Sequence, residues 1–304
     1  MNVILGQIAV LYIFILVGWG FGKWKKDQAE KSGILSFLLV NLMLPAMVFR
    51  SFARDFTVTY ITENYMTLVI STVLLALIAG VALLLCRVFS KDAFERNVYH
   101  YSMTIPNISY MAFVLAQALL GDRGLANAIL FGIPLTLYIY TIGYAMLTGG
   151  GNSLKKLINP NTVAVALGVV AGLLEIPIPG FLDTVLSSSA ACVGPVGMLL
   201  AGFVLSAFPI KEMAPDWKVL GLCVIRLAVL PALMFGACKL LGLVMTLPEA
   251  VYPSAVLIAC MPCGLNSVIF PKLMGKDCSL GAKIALYSHL LSVVTIPLWL
   301  GLIL

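Results

Sequence analysis

Long apolar runs, interrupted by short charged or Pro/Gly-containing breaks, dominate the chain from end to end. Set against the roughly 20 apolar residues that a membrane-spanning helix needs, the runs predict ten helical spans. They cover residues 3–21, 34–52, 66–89, 99–120 and 125–147 in the first half. The second half gives 162–174, 186–208, 217–243, 255–273 and 280–302, of which the first is short. Boundaries read this way hold to about three residues.

Composition agrees. Hydrophobic residues make up 61% of the 304 positions, charged residues 11%, and the mean hydropathy is +1.05. A typical soluble domain is roughly 25% charged. A secreted fold, a two-domain soluble enzyme and a receptor with a large ectodomain are excluded. The formal net charge of +6 reads as a topology signal, not as a nucleic-acid footprint. The expected surroundings are a lipid bilayer, with no nucleic-acid partner. Lys23, Lys25 and Lys26 follow the first apolar run, whereas a secretory signal puts its charge before the run. The first span is therefore read as uncleaved, with its start outside. Of the 19 Lys and Arg, fourteen fall in the loops after odd-numbered spans. Four (Arg50, Arg54, Arg123, Lys239) fall in the other loops, and Arg226 lies within span eight. This positive-inside bias predicts a multi-pass protein of the cell (inner) membrane with both termini on the non-cytoplasmic side. The seven cysteines are odd in number and mostly sit in apolar runs. They read as small buried hydrophobes, and the Cys260–Cys263 spacing reads as packing, not as a redox or metal motif.

Residues 149–160 form the one plausible internal linker. They separate a five-span unit, 1–148, from another, 161–304. The units echo each other in spans four and nine. Met103-Thr104-Ile105-Pro106-Asn107-Ile108-Ser109 matches Cys260-Met261-Pro262-Cys263-Gly264-Leu265-Asn266-Ser267 in carrying proline followed by Asn and Ser. Pro45 and Pro195 echo in spans two and seven. A second five-span copy must enter the membrane from the opposite face, because five is odd. The expected fold is an all-α membrane protein of ten transmembrane helices in two inverted five-helix repeats, with helices four and nine broken. Inverted repeats with discontinuous helices are the architecture of many secondary transporters.

A broken turn is tolerated in a membrane only against protein or a water-filled cavity. The breaks at Pro106 and Pro262 are thus candidate hinges. Asn107, Ser109, Gly264, Asn266 and Ser267 are candidate binding residues around them. Each break creates a half-helix N-terminus that favours an anion. Arg226 has two readings of equal standing. It is a counter-ion for a carboxylate ligand, or it bonds backbone carbonyls freed by a break. His289 in span ten could carry a proton, though a satisfied buried histidine is the commoner case. Gln117 is a candidate for ion binding, and Asn41, one turn before Pro45, for the ligand pathway. Arg50 and Arg54 share a helix face and either line a vestibule that attracts anions or anchor the helix at the interface. No Asp or Glu falls in the middle of a span; Asp55, Glu63, Glu175, Asp183 and Glu249 lie near ends. A sodium/proton antiporter or a carboxylate relay would need such residues.

The whole chain resembles the auxin efflux carrier family, which includes bacterial carriers for malate and malonate. The resemblance rests on Asn41-Leu42-Met43-Leu44-Pro45, Pro106-Asn107, Asn159-Pro160, Arg226 to Pro231, and Pro262-Cys263-Gly264-Leu265-Asn266, in order along the chain. It implies a scaffold of helices one, two, six and seven and a mobile transport domain of helices three to five and eight to ten. It also implies that helices four and nine cross at their prolines. A substrate carboxylate would then sit beside Asn107, with Asn266 as its repeat partner. The loop between the halves is only about a dozen residues, which suits a bacterial type of carrier and not an auxin substrate.

The expected activity is transport of small organic anions, mono- or dicarboxylates, by an elevator-type cycle, with no catalysis. No cofactor is expected; the coupling ion, Na⁺ or H⁺, is open, as is a homodimer. One rival is a sodium-coupled symporter of the bile-acid type, with Asn266, Gln117 and Ser267 around the cation. Another is a membrane-embedded sensor or channel.

Overall fold

The structure is a computed structural model that describes residues 2–24, 28–149, 160–208, 214 and 216–302. The described residues are all-helical, apart from one isolated two-residue bridge. Most of the 149–160 linker, Lys25, Lys26, Lys155, Lys156 and Lys211 of the charge pattern, and Asn159 of the Asn159-Pro160 segment lie outside the described residues.

The elements in order are α1 (Asn2–Trp24), α2 (Gln28–Leu38), α3 (Leu44–Asp55), α4 (Val58–Phe89), α5 (Ala93–Thr104), α6 (Phe113–Tyr138) and α7 (Tyr144–Thr148). They continue with α8 (Pro160–Leu173), α9 (Gly180–Ala191), α10 (Val193–Ser206), α11 (Trp217–Val224) and α12 (Leu230–Val244). The last are α13 (Val251–Ala259), α14 (Asn266–Leu273) and α15 (Ser279–Gly301). Among the described residues four π-helical turns, Leu39–Met43, Ile108–Ala112, Ile139–Gly143 and Ile225–Val229, interrupt the regular helices.

Seven helices among the described residues are long and apolar enough to cross a membrane. The count differs from the ten spans expected of the sequence, for local reasons. Helix α8 has only 14 residues. The stretch expected as span nine is cut into α13 and α14, of nine and eight residues. Spans four and five run together as Ile108–Thr148, a 41-residue helical stretch. That is twice the length a bilayer needs, and Gly121 turns it with a positive φ of 70°, a conformation that glycine adopts without steric cost. Helix α4 also begins at Val58, earlier than the expected residue 66, because the Thr57 side chain accepts a hydrogen bond from the Tyr60 N–H and caps it.

Glycines set how closely two helix pairs approach. Gly18 of α1 faces the Leu199 backbone of α10, and Gly202 of α10 faces the Ile15 carbonyl of α1, with no room for a Cβ on either. Gly168 and Gly172 of α8 face the backbone of Phe49, Phe52 and Phe56 on α3 in the same way. Small residues let backbones meet where lipid supplies no hydrophobic drive. The outward faces are apolar instead: Leu16 is 64% exposed and Leu84 68%, as lipid-facing positions should be. The core lies around the two breaks, where Tyr101, Met103, Ile105, Met111, Met261 and Cys263 are almost wholly buried.

Candidate functional site

Proline has no N–H and clashes with the preceding turn, so α5 stops at Thr104 and Ile105 turns extended, at φ −107° and ψ 115°. The second break runs from Cys260 to Leu265, between α13 and α14. The two breaks meet. Asn107 N–H donates to the Pro262 carbonyl at 2.7 Å, and Gly264 N–H donates to the Ile105 carbonyl at 3.0 Å. Pro106 and Cys263 face each other as an antiparallel bridge. Backbone groups that each break would leave unpaired in an apolar interior are satisfied by the other break. Gly264 has a steric role here: a Cβ would stand 3.2 Å from the Pro106 carbonyl oxygen and 3.4 Å from that of Ile105.

Arg226 closes the crossover on one side. It is 1% exposed. Its Nε donates to the Met261 carbonyl at 3.2 Å, Nη1 to Met103 at 3.4 Å and Nη2 to Ile258 at 3.4 Å. Met103 and Ile258 belong to the last turns of α5 and α13, where i+4 helical donors run out and the helix dipole is negative; the Ile258 carbonyl also accepts from the Met261 N–H at 3.3 Å. The hydrogen bonds are those of the second reading of Arg226, a cation on carbonyls freed by the breaks. Together with Ser71, Thr104 and Pro106 it lines a cavity of about 20 Å³.

A separate recess of about 40 Å³ is bordered by Pro106, Asn107, Ser109, Gly264 and Asn266, with Leu44, Tyr110, Thr136 and Ile139 closing it. The structure thus gathers five of the sequence-predicted site residues at one place. Ser267 is adjacent and fully buried, its hydroxyl donating to the Gly264 carbonyl at 3.0 Å. Asn107, 2% exposed, lies 3.1 Å through Nδ2 from His289 Nε2. His289 Nδ1 lies 2.7 Å from the Ala285 carbonyl. A carbonyl only accepts, so Nδ1 carries the hydrogen and Nε2 of the neutral ring accepts from Asn107. Ser288 accepts from the Cys263 N–H at 3.2 Å and donates to Ala285 at 3.1 Å. The Tyr12 hydroxyl donates to the His289 carbonyl at 2.8 Å and also meets Ser292. Helix α15 therefore supports the crossover through several polar bonds.

Other candidates lie elsewhere. Asn41 is exposed, and its amide donates to the Phe37 carbonyl at 2.8 Å, one turn back. It does not border the recess, although Leu44, which follows the π turn that contains it, does. Gln117 donates to Asp122 at 2.7 Å, beside a cavity of about 300 Å³ that Arg50, Arg54, Asp122 and Ser187 also line. There Arg50 pairs with Asp183 at 2.7 Å and Asp122 at 3.4 Å, and Arg54 with Asp122 at 2.8 Å. Residues beyond the sequence reading include Thr136 and Tyr12, neither of which carries a local signal. Each π turn also adjoins the crossover: Ile108 and Ile139 border the recess, Leu44 follows the first turn, and Arg226 sits in the fourth. Pro231, just after that fourth turn, cannot donate to the Leu227 carbonyl, and the Trp299 indole takes it at 2.8 Å. π turns often mark functional sites.

A multi-pass helical chain with two broken helices paired at its centre is a membrane protein of the transport class. The family model described as "Membrane transport protein" matches residues 3–156 and 151–300. The chain belongs to that family, the auxin efflux carriers, and its members are transporters, not enzymes. It is 25% identical to the "Putative malonate transporter" of Rhizobium meliloti (strain 1021), over 96% of this chain and 93% of that one. It is 24% identical to an "Uncharacterized transporter" of Methanothermobacter thermautotrophicus, over 89% and 88% of the two chains. It is 22% identical to "Uncharacterized transporter YfdV" of Escherichia coli (strain K12), over 97% and 96%.

Proposed function

We propose that this protein is a secondary carrier for small organic anions, with short dicarboxylates such as malonate as the first candidates. One observation carries the reading: two broken helices pair backbone to backbone and turn Asn107 and Asn266 into one recess. The second half-helix of each starts there, so positive dipole ends and amide donors converge. No Asp or Glu borders the recess, which suits an anion. The malonate suggestion comes from the name of the Rhizobium relative.

In this reading the chain is ten spans in two inverted five-span repeats, with both ends outside the cytoplasm. Helices α1–α3 and α8–α10 form the scaffold, held by the glycine contacts described above. The remaining helices carry the crossover and move against it. The recess of about 40 Å³ has room for roughly three waters, so Leu44 on the scaffold and Thr136 on the moving part must separate before a dicarboxylate binds. Sodium held by Asn266, Gln117 and Ser267 is disfavoured, since Gln117 lines the other cavity and bonds Asp122.

Counterflow in proteoliposomes with labelled mono- and dicarboxylates tests the reading. Saturable exchange of one or two acids, lost in Asn107→Ala and Asn266→Ala protein that remains folded, is the expected result. Undiminished exchange in both variants would remove the site from the crossover.

A further inference from the structure

Building on the crossover recess as the carboxylate site, we propose that His289 is a positioning residue that couples a proton to the substrate. It sets which edge of the Asn107 amide faces the recess, and its protonation reverses that edge.

The geometry determines the resting state. Nδ1 of His289 donates to the Ala285 carbonyl, and Asn107 turns Nδ2, a donor, towards Nε2, which as its acceptor is bare. The Asn107 Oδ1, an acceptor, is then left on the opposite edge of the amide. His289 itself is 2% exposed and does not border the recess, whereas Asn107 does. A carboxylate offers only acceptors, so an amide oxygen presented to it is repulsive. When Nε2 gains a proton it becomes a donor. Asn107 satisfies it only by turning about Cβ–Cγ and offering Oδ1, which moves both Nδ2 hydrogens to the other edge. Protonation of a residue outside the recess thereby converts an acceptor into a donor inside it.

A counter-charge decides when the proton is held. Among the described residues, no Asp or Glu contacts Asn107 or His289. Several other ionisable groups on the elements packed against α15 are engaged elsewhere. The Tyr12 hydroxyl of α1 is on the His289 carbonyl, and Lys23 of α1 is on the Phe208 carbonyl. Arg226 is on three carbonyls, His100 of α5 is on Tyr138 and Glu95 of α5 is on Ser90. Tyr99 and Tyr101 of α5, and Cys223, Cys260 and Cys263 of α11 and the second break, are buried groups that supply no anion in their neutral forms. Arg96 and Lys218 lie in the first turns of α5 and α11, and the Lys272 side chain of α14 lies outside the described residues. The carboxylate substrate is then the negative charge that stabilises an imidazolium next to the site. Proton and anion enter together from the open side and leave together on the other.

The experiment has a substrate-free arm and a transport arm. The chain has two histidines, so ¹⁵N-histidine NMR resolves two imidazoles, and loss of one in His289→Gln assigns the pair. At high pH we expect His289 protonated at Nδ1 and bare at Nε2, with Asn107→Ala shifting its Nε2 resonance and leaving that of His100 in place. An Nε2-protonated neutral ring would overturn the proposal. In the transport arm, half-saturation for labelled malonate is followed from about pH 5.5 to about pH 8, across the histidine range. Wild type should weaken by up to about tenfold per pH unit on the titrating limb relative to His289→Gln, the slope of one linked proton. Malonate's own titration is common to both proteins and cancels. An acid-outside gradient should drive uptake in wild type and not in the variant. Identical pH profiles in the two proteins would overturn the proton role even where Asn107→Ala abolishes exchange. Full exchange in Asn107→Ala would instead overturn the site reading.

Discussion

Arg226 and Arg50 are each held by hydrogen bonds to this chain, but by opposite means. At the crossover, Arg226 gives its guanidinium to three backbone carbonyls from two broken helices and the segment between them. At the larger cavity, Arg50 and Arg54 give theirs to Asp122 and Asp183. The crossover needs a cation because broken helices present carbonyl ends in an interior with no water to satisfy them. It needs no carboxylate, and none borders the recess that it leaves. The larger cavity balances cations with anions that sit on different helices, α3 against α6 and α9. A recess at two half-helix N-termini, bordered by no carboxylate, is free to take an outside one. A cavity whose arginines already hold carboxylates is more like a fastening, and Asp122 joins the scaffold to the part read as mobile.

Changing the crossover should therefore cost far more than changing the cavity. The largest effect is expected of Arg226→Met. It strands the Met103 and Met261 carbonyls, each at about 1–3 kcal/mol, and takes one of the partners of the Ile258 carbonyl, so it should lower the melting temperature in detergent steeply or prevent folded protein from accumulating. Arg226→Lys should restore part of this, because an ammonium is a point charge without the planar fork that reaches three directions. A melting temperature unchanged in Arg226→Met would break the comparison.

Gly264→Val comes next. Even a Cβ meets the Ile105 and Pro106 carbonyls, and forcing them apart costs about 1–3 kcal/mol. Thermal unfolding should show the loss, and malonate exchange should fall with it. Asn107→Ala is expected to remove at least about tenfold of exchange, the equivalent of roughly 1.4 kcal/mol, with little change in melting temperature beyond the hydrogen bond to His289. The smallest effect belongs to Asp122→Asn. The Arg54 side chain is 47% exposed and that of Asp122 33%, and such pairs contribute about 0.2–1 kcal/mol, less in high salt. A change of only a few-fold in exchange rate, fading as salt is raised, is expected in a salt series. A loss as deep as that of Asn107→Ala would erase the distinction between the two regions.

The breaks were legible in the sequence because proline acts locally: Pro106-Asn107 and Pro262…Asn266 announce themselves without any partner. Their pairing was less so. Parity and likeness suggest two matching breaks, but the bonds from Asn107 to Pro262 and from Gly264 to Ile105 join residues far apart in the chain. The sequence leaves both readings of Arg226 open because its partners are carbonyls, which every residue has and no residue type marks. Arg50 and Arg54 stand out as charged residues, but the carboxylates that hold them come from other helices, whereas Gln117 bonds Asp122 of its own helix. Asn41 illustrates a different failure. Its spacing from Pro45 places it one turn away, but the π turn over Leu39–Met43 changes the helical phase, and Asn41 is exposed. The number of long apolar helices among the described residues differs from ten for the related reason that broken helices and the bend at Gly121 do not respect the length rule of an unbroken helix.

A structure of the protein bound to malonate in lipid nanodiscs distinguishes the two regions as sites. Ligand density is expected against Asn107 and Asn266, with Leu44 drawn away from Thr136 and Arg226 still on its carbonyls. Density against Arg50 and Arg54 in the larger cavity, with the crossover recess empty, would contradict it.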